Sequence, residues 1–170
     1  FIRRNGQEPV RDVRQSSALD QAWSVFTYVT DDLPNSGSIA PGDAAYNDAL
    51  YRRALSQYLR AQDKLRAFED ELQLVEAVRL DIKNPLWWKW IDEVSRLNRV
   101  EQRVRDRFHL ELAGAFQDVF ATLDRMDALD QAERVLELRR AAYRLYAVNQ
   151  IAIGNYTQAL GVLDRYREME

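Results

Sequence analysis

Apolar residues recur at spacings of three, four and seven along most of this chain, the repeat of amphipathic helices rather than of strands. From Asp43 to Asn84 no proline or glycine interrupts the text. Tyr51, Leu55, Tyr58, Leu65, Phe68, Leu72, Val75 and Ile82 mark one stripe, with a shift of phase near Gln62. Asp43 can cap this helix, and at about 1.5 Å per residue it predicts a rod of roughly 55 Å. Asn84 and Pro85 then read as a cap and a first-turn proline, where a missing N–H costs nothing. A second stripe follows through Trp87, Trp90, Ile91, Val94, Leu97, Val104, Phe108, Leu112, Phe116, Val119 and Leu123. Two long helices joined by a tight turn at Lys83 to Pro85 are expected to pack antiparallel as a hairpin. Trp87 and Trp90 would then cover Leu74, Val75 and Val78 at its closed end.

The flanks are less regular. Phe1 to Gln15 is polar, holds Gly6 and Pro9, and shows no helical period, so it reads as an arm. A short helix is predicted from Ser16, with Ser17 as cap, Asp20 as the capping-box acid, and Leu19, Trp23 and Phe26 at helical spacing. The competing reading is a strand over Val25 to Thr30, because Val, Phe, Thr and Tyr favour pleated surfaces. Asp31 to Gly42, with its prolines, glycines and polar turn-formers, predicts a loop. At the other end Asp127 and Asp130 offer caps for a helix running to about Ile153. Gly154 and Asn155 break it, and a last helix begins at Tyr156.

That closing pair resembles a tetratricopeptide repeat over residues 140–170. Tyr143 stands at the large aromatic position of the motif, Ala147 at the small position, Gly154-Asn155-Tyr156 at the interhelical turn, and Ala159 at the small residue of the second helix. Gln150 and Tyr166 depart from it, where the family has an aromatic and a small residue. A fainter echo lies upstream in Leu129, Ala132 and Leu136. The resemblance implies a first helix that lines a groove, here through Ala141, Arg144, Leu145, Val148 and Ile151. This face lacks the Lys and Asn with which the family grips a peptide carboxylate, so the groove is expected either to take an amphipathic helix or to be filled by the chain's own helices.

Charge and composition narrow the function. A net charge of −3 argues against a general affinity for nucleic acid. No apolar run is long enough to predict a transmembrane segment. The absence of cysteine rules out disulfides and thiolate metal sites, and suits the periplasm, which is favoured over the cytoplasm. The chain opens at Phe1 rather than Met and ends in a helical pattern, the expectation for a piece of a longer protein.

Little in the chain points to catalytic chemistry. His109 is the only histidine, and with Asp106 one turn before it cannot make a helical di-metal site, so it reads as a packed residue. Gly37 and Gly42 have phosphate-loop spacing, but Asp43 and Ala44 stand where Lys and Ser or Thr are needed. Asp31 and Asp32 do not continue into an alternating calcium loop. Arg96, Arg99, Arg103 and Arg107 form a row that could grip an acidic partner, although the interleaved Asp92, Glu101 and Asp106 favour a salt-bridged face. Leu86-Trp87-Trp88-Lys89-Trp90 is the most unusual cluster. Trp88 points about 100° away from Trp87, off the stripe, and is a candidate binding anchor.

The expected architecture is all-α: an N-terminal arm, short helix and loop over residues 1–42, a long hairpin over 43–126, and a repeat-like pair over 127–170. The expected function is a non-catalytic protein-binding scaffold or adaptor with no cofactor, metal or small-molecule substrate, acting on another protein or on its own copies. A structural coiled-coil oligomer is the second class, and an enzyme with an unrecognised carboxylate site the third. In outline the rod and base also resemble adaptor proteins that decorate spirochaetal periplasmic flagella, which implies a place in an extracytoplasmic, motility-associated assembly.

Overall fold

The computed structural model describes residues 13–82, 86–127 and 133–168, and no strand occurs among them. Helix α1 spans Val13–Thr27 and runs through a π-helical stretch, Tyr28–Asp32, into a single turn α2, Leu33–Asn35. Two long helices follow, α3 (Ala44–Leu80) and α4 (Trp87–Asp127), then α5 (Glu133–Ala152) and α6 (Tyr156–Arg167).

The hairpin forms as its stripes predict. Phe68 of α3 meets Phe108 of α4 with ring centroids 5.2 Å apart, and Val104, Phe108, Leu112, Phe116, Val119 and Leu123 are all buried. The α3 face differs in one respect. Its buried line runs Leu50, Ala54, Gln57, Ala61, Leu65, Phe68 and Val75, without the shift of phase expected near Gln62. Alanine and glutamine carry the line through the middle, where Tyr51, Leu55 and Tyr58 only flank it. Gln57 is admitted because its Oε1 accepts a 2.8 Å hydrogen bond from the buried Thr122 hydroxyl.

Helix α5 lies against the basal half of both long helices. Val135, Leu138 and Ala142 join Leu50, Ala54 and Leu123 in one cluster. Tyr146 and Ala147 join Phe116, Leu112 and the α6 residue Val162 in the other. Gly154, at φ +82°, supplies the left-handed backbone that lets the chain reverse into α6.

Several boundaries differ from expectation. Helix α1 begins at Val13, inside the stretch read as an arm, so Ser17 lies within the helix rather than at its cap. Asp20 pairs with Arg60 at 2.9 Å instead of closing a capping box, and Arg60 also sits 4.8 Å over the Trp23 ring. Val25 to Thr30 is helical, not a strand. There the Thr30 hydroxyl bonds the carbonyls of Phe26 and Thr27, which helps hold the widened π turn. Part of the expected loop forms α2, with Pro34 in its first turn. Asp127 ends α4 rather than capping α5, and Asp130 lies outside the described residues, as do residues 1–12 of the arm and Lys83 to Pro85.

Candidate functional site

The register of the hairpin decides what its closed end exposes. Arg79, one residue from the end of α3, bonds Asn98 at 3.1 Å and also Glu101 on α4. Helix α4 nevertheless begins at Trp87, about eleven residues before Asn98, so its first turns project roughly 16 Å beyond the packed end of α3. Nothing from α3 lies opposite them. Trp87 is therefore 68% exposed and Trp90 46% exposed, not buried over Leu74, Val75 and Val78 as the stripe implied, and Leu74 and Val78 are themselves exposed. Trp88 is 54% exposed and meets Trp87 edge-on, with centroids 5.8 Å apart.

The arginine row is largely engaged locally. Arg96 pairs with Asp92 at 2.7 Å, Arg99 bonds the Ser95 carbonyl, and Arg107 holds Glu71 across the hairpin while lying over the Phe108 ring. Arg103 is exposed. Asp106 accepts from Gln102 rather than orienting His109. His109 is half-buried beside a cleft of about 310 Å³ that also touches Arg105 and Asn155. Among the described residues no group of three His, Cys, Asp or Glu side chains could hold a metal ion, and no helix is long and apolar enough to cross a membrane.

On α5 the face expected to line a groove divides. Leu145 turns into the core, Ala141 is half-buried, and Arg144, Val148 and Ile151 face outward. Tyr156 and Leu160 of α6 are also exposed. The concavity lies on another side of the pair, a cleft of about 370 Å³ floored by Phe120, Tyr143 and Tyr146 and edged by Gln158 and Arg165. Phe120 and Tyr143 stack with centroids 4.4 Å apart. Gln158 donates to the Tyr146 hydroxyl at 3.0 Å, and burial raises the pKa of that phenol. Sequence reasoning missed this cleft. Its one visible signal was the aromatic pair Phe120 and Tyr143, which are distant in the chain. Leu136 of the upstream echo sits in α5 itself, in the same helix as Tyr143, while Leu129 and Ala132 lie outside the described residues.

A cluster of charges fastens the N-terminal helix to the base. Asp31 accepts from Arg53 and Arg125, each at 2.8 Å, and Arg125 also donates to the Thr30 carbonyl and the Tyr46 hydroxyl. Partial burial pulls the Asp31 carboxyl upward, but the bonds from Arg125 and Arg53 outweigh it and lower its pKa. This cluster ties the π-helical stretch to α3 and α4.

Compared with known proteins, the chain matches no family model, no curated protein and no solved structure.

Proposed function

We propose that this chain is a non-catalytic scaffold or adaptor that docks another protein on the outer face of α5 and α6. One observation carries the reading. Val148 and Ile151 on α5, with Tyr156 and Leu160 on α6, stay 47 to 65% exposed, although the opposite side of α5 is buried against the hairpin. Such a face, with Arg144 at its edge, suits an amphipathic helix of a partner. The rod-plus-base outline, through its shape resemblance, also supports a place in an extended extracytoplasmic or motility assembly.

The test is co-purification from the native source. A partner held by the parent should be lost with Val148→Asp and Ile151→Asp, and kept with Leu110→Asp, which alters a 74% exposed residue elsewhere on α4. Retention by both base-face variants would overturn the reading.

A second reading, an oligomer pairing along the rod, is favoured by exposed Leu74 and Val78, one turn apart on α3. A sedimentation coefficient that stays monomeric at high concentration would exclude it.

A further inference from the structure

The overhanging start of α4 carries a different kind of apolar surface. At 100° per residue, Leu86, Trp87, Trp88, Trp90 and Ile91 occupy roughly 200° of the helix circumference. All five are exposed, between 37 and 68%. Leu80, at the end of α3, adds a further side chain that is 73% exposed. An ordinary core-facing stripe is about 100° wide, and this arc is twice that.

Area points the same way. A tryptophan offers about 150–250 Å², so the arc exposes roughly 500 Å² of apolar surface. A protein partner or a second copy that covered all of it would still fall short of the ~800 Å² per partner of a stable interface. A continuous medium would cover all of it. Tryptophan is the side chain that settles at the lipid–water boundary, where its ring is buried and its N–H stays wet. From Leu86 to Ile91 the helix rises roughly 8 Å, within the ~5–10 Å depth of interfacial segments. Asp92 and Glu93 then begin the charged part of α4.

Charge is complementary too. Lys89 is the one charged residue from Leu86 to Ile91, so this apolar stretch is net positive in a chain of net charge −3. Lys89 is exposed on the part of the circumference that the apolar residues leave open. Its long stem lets the ammonium reach headgroup phosphates while neighbouring rings sit deeper.

We infer that the tryptophan-rich first turns of α4 insert into the interfacial layer of a lipid bilayer containing anionic headgroups, anchoring the rod without spanning the membrane. This goes beyond the scaffold reading: Arg105, which meets the end of α5 at Ala152 beside the protein contact, lies roughly 27 Å along α4 from Trp87.

The experiment uses the full chain carrying Trp23→Phe, so that the three tip indoles are the only tryptophans. It is mixed with vesicles of phosphatidylcholine, alone or with phosphatidylglycerol, with and without bromine on the acyl chains. The protein should float with the vesicles, its emission should move to the blue, and brominated chains should quench it. Joint replacement Trp87→Ser, Trp88→Ser and Trp90→Ser should lower partitioning by roughly tenfold or more at unchanged circular dichroism. Lys89→Glu alone, which leaves every indole in place, should weaken binding to the phosphatidylglycerol vesicles severalfold. Val148→Asp should float like the parent, so failure of the base-face reading leaves this result untouched. The inference is overturned if the parent stays in the aqueous fraction with both vesicle types. It is equally overturned if the triple variant floats as well as the parent. A concentration-dependent dimer that the triple substitution abolishes, without vesicle binding, would overturn it in favour of a second copy.

Discussion

Arg105 donates from α4 to the main-chain carbonyl of Ala152, 2.7 Å away, at the point where α5 ends. The same guanidinium holds Glu101 at 2.8 Å, and Glu101 is also gripped by Arg79 of α3. One line of polar contacts therefore joins both helices of the rod to the last carbonyl of α5, a group that a helix end otherwise leaves unpaired. Arg105→Ala should lower stability by about 1 kcal/mol and speed amide exchange at Ile153 to Asn155. Unchanged exchange there would show that the base holds without this tie.

The core rests on the aromatic meeting of α4 and α5. Phe116 is fully buried, with its ring centroid 4.9 Å from that of Tyr146. Phe116→Ala should cost about 3–5 kcal/mol, read as a fall in the thermal midpoint of roughly 10 °C. A loss below about 1 kcal/mol would mean that the base does not pack on the rod as described.

Gln150 is fully buried, and neither side-chain amide atom has a protein partner. Replacing such a group by an apolar side chain of similar size removes a desolvation cost. Gln150→Met should therefore raise stability by about 1 kcal/mol in chemical denaturation. A destabilised variant would place a hydrogen-bonding partner, such as an ordered water, at this amide.

Acid should act through two carboxylates. Bonds from Arg105 and then Arg79 hold Glu101 below the ordinary carboxylate range, and Asp31 is lowered because Arg125 and Arg53 outweigh its burial. Folded pKa values below unfolded ones mean stabilisation that is complete above pH ~4–5 and lost as pH falls through the folded values. Both groups are partly exposed, so the effect is modest. The thermal midpoint should be level near neutrality and fall below about pH 4. The pair Asp31→Asn and Glu101→Gln should flatten part of that fall. A midpoint that rises on acidification would contradict the assignment.

Helical period alone exposes most of this fold. The α4 stripe from Val104 to Leu123 reads directly from large apolar residues at regular spacing and is buried throughout. The α3 line was hidden in its middle because Ala54, Gln57 and Ala61 do not register as apolar, although small residues are what allow close helix approach. Trp87 and Trp90 have the right phase for the stripe and the wrong place for the core. Phase records which way a side chain points, not whether the partner helix reaches that far, and α3 stops at Leu80. Trp88, chosen for being off the stripe, is thus one of three exposed indoles rather than a lone anchor. The cleft over Phe120 and Tyr143 depends on two helices meeting across a connection, a relation that local spacing does not encode.

The proposed membrane contact requires the tryptophans at the start of α4 to be surface rather than core. The most direct measurement is the thermal midpoint of the joint variant Trp87→Ser, Trp88→Ser and Trp90→Ser beside that of the parent and of Phe116→Ala. Exposed side chains beyond the end of α3 predict a midpoint within roughly 2 °C of the parent. A fall as large as that of Phe116→Ala would show that the indoles are packed, and would contradict the overhang on which the proposed contact depends.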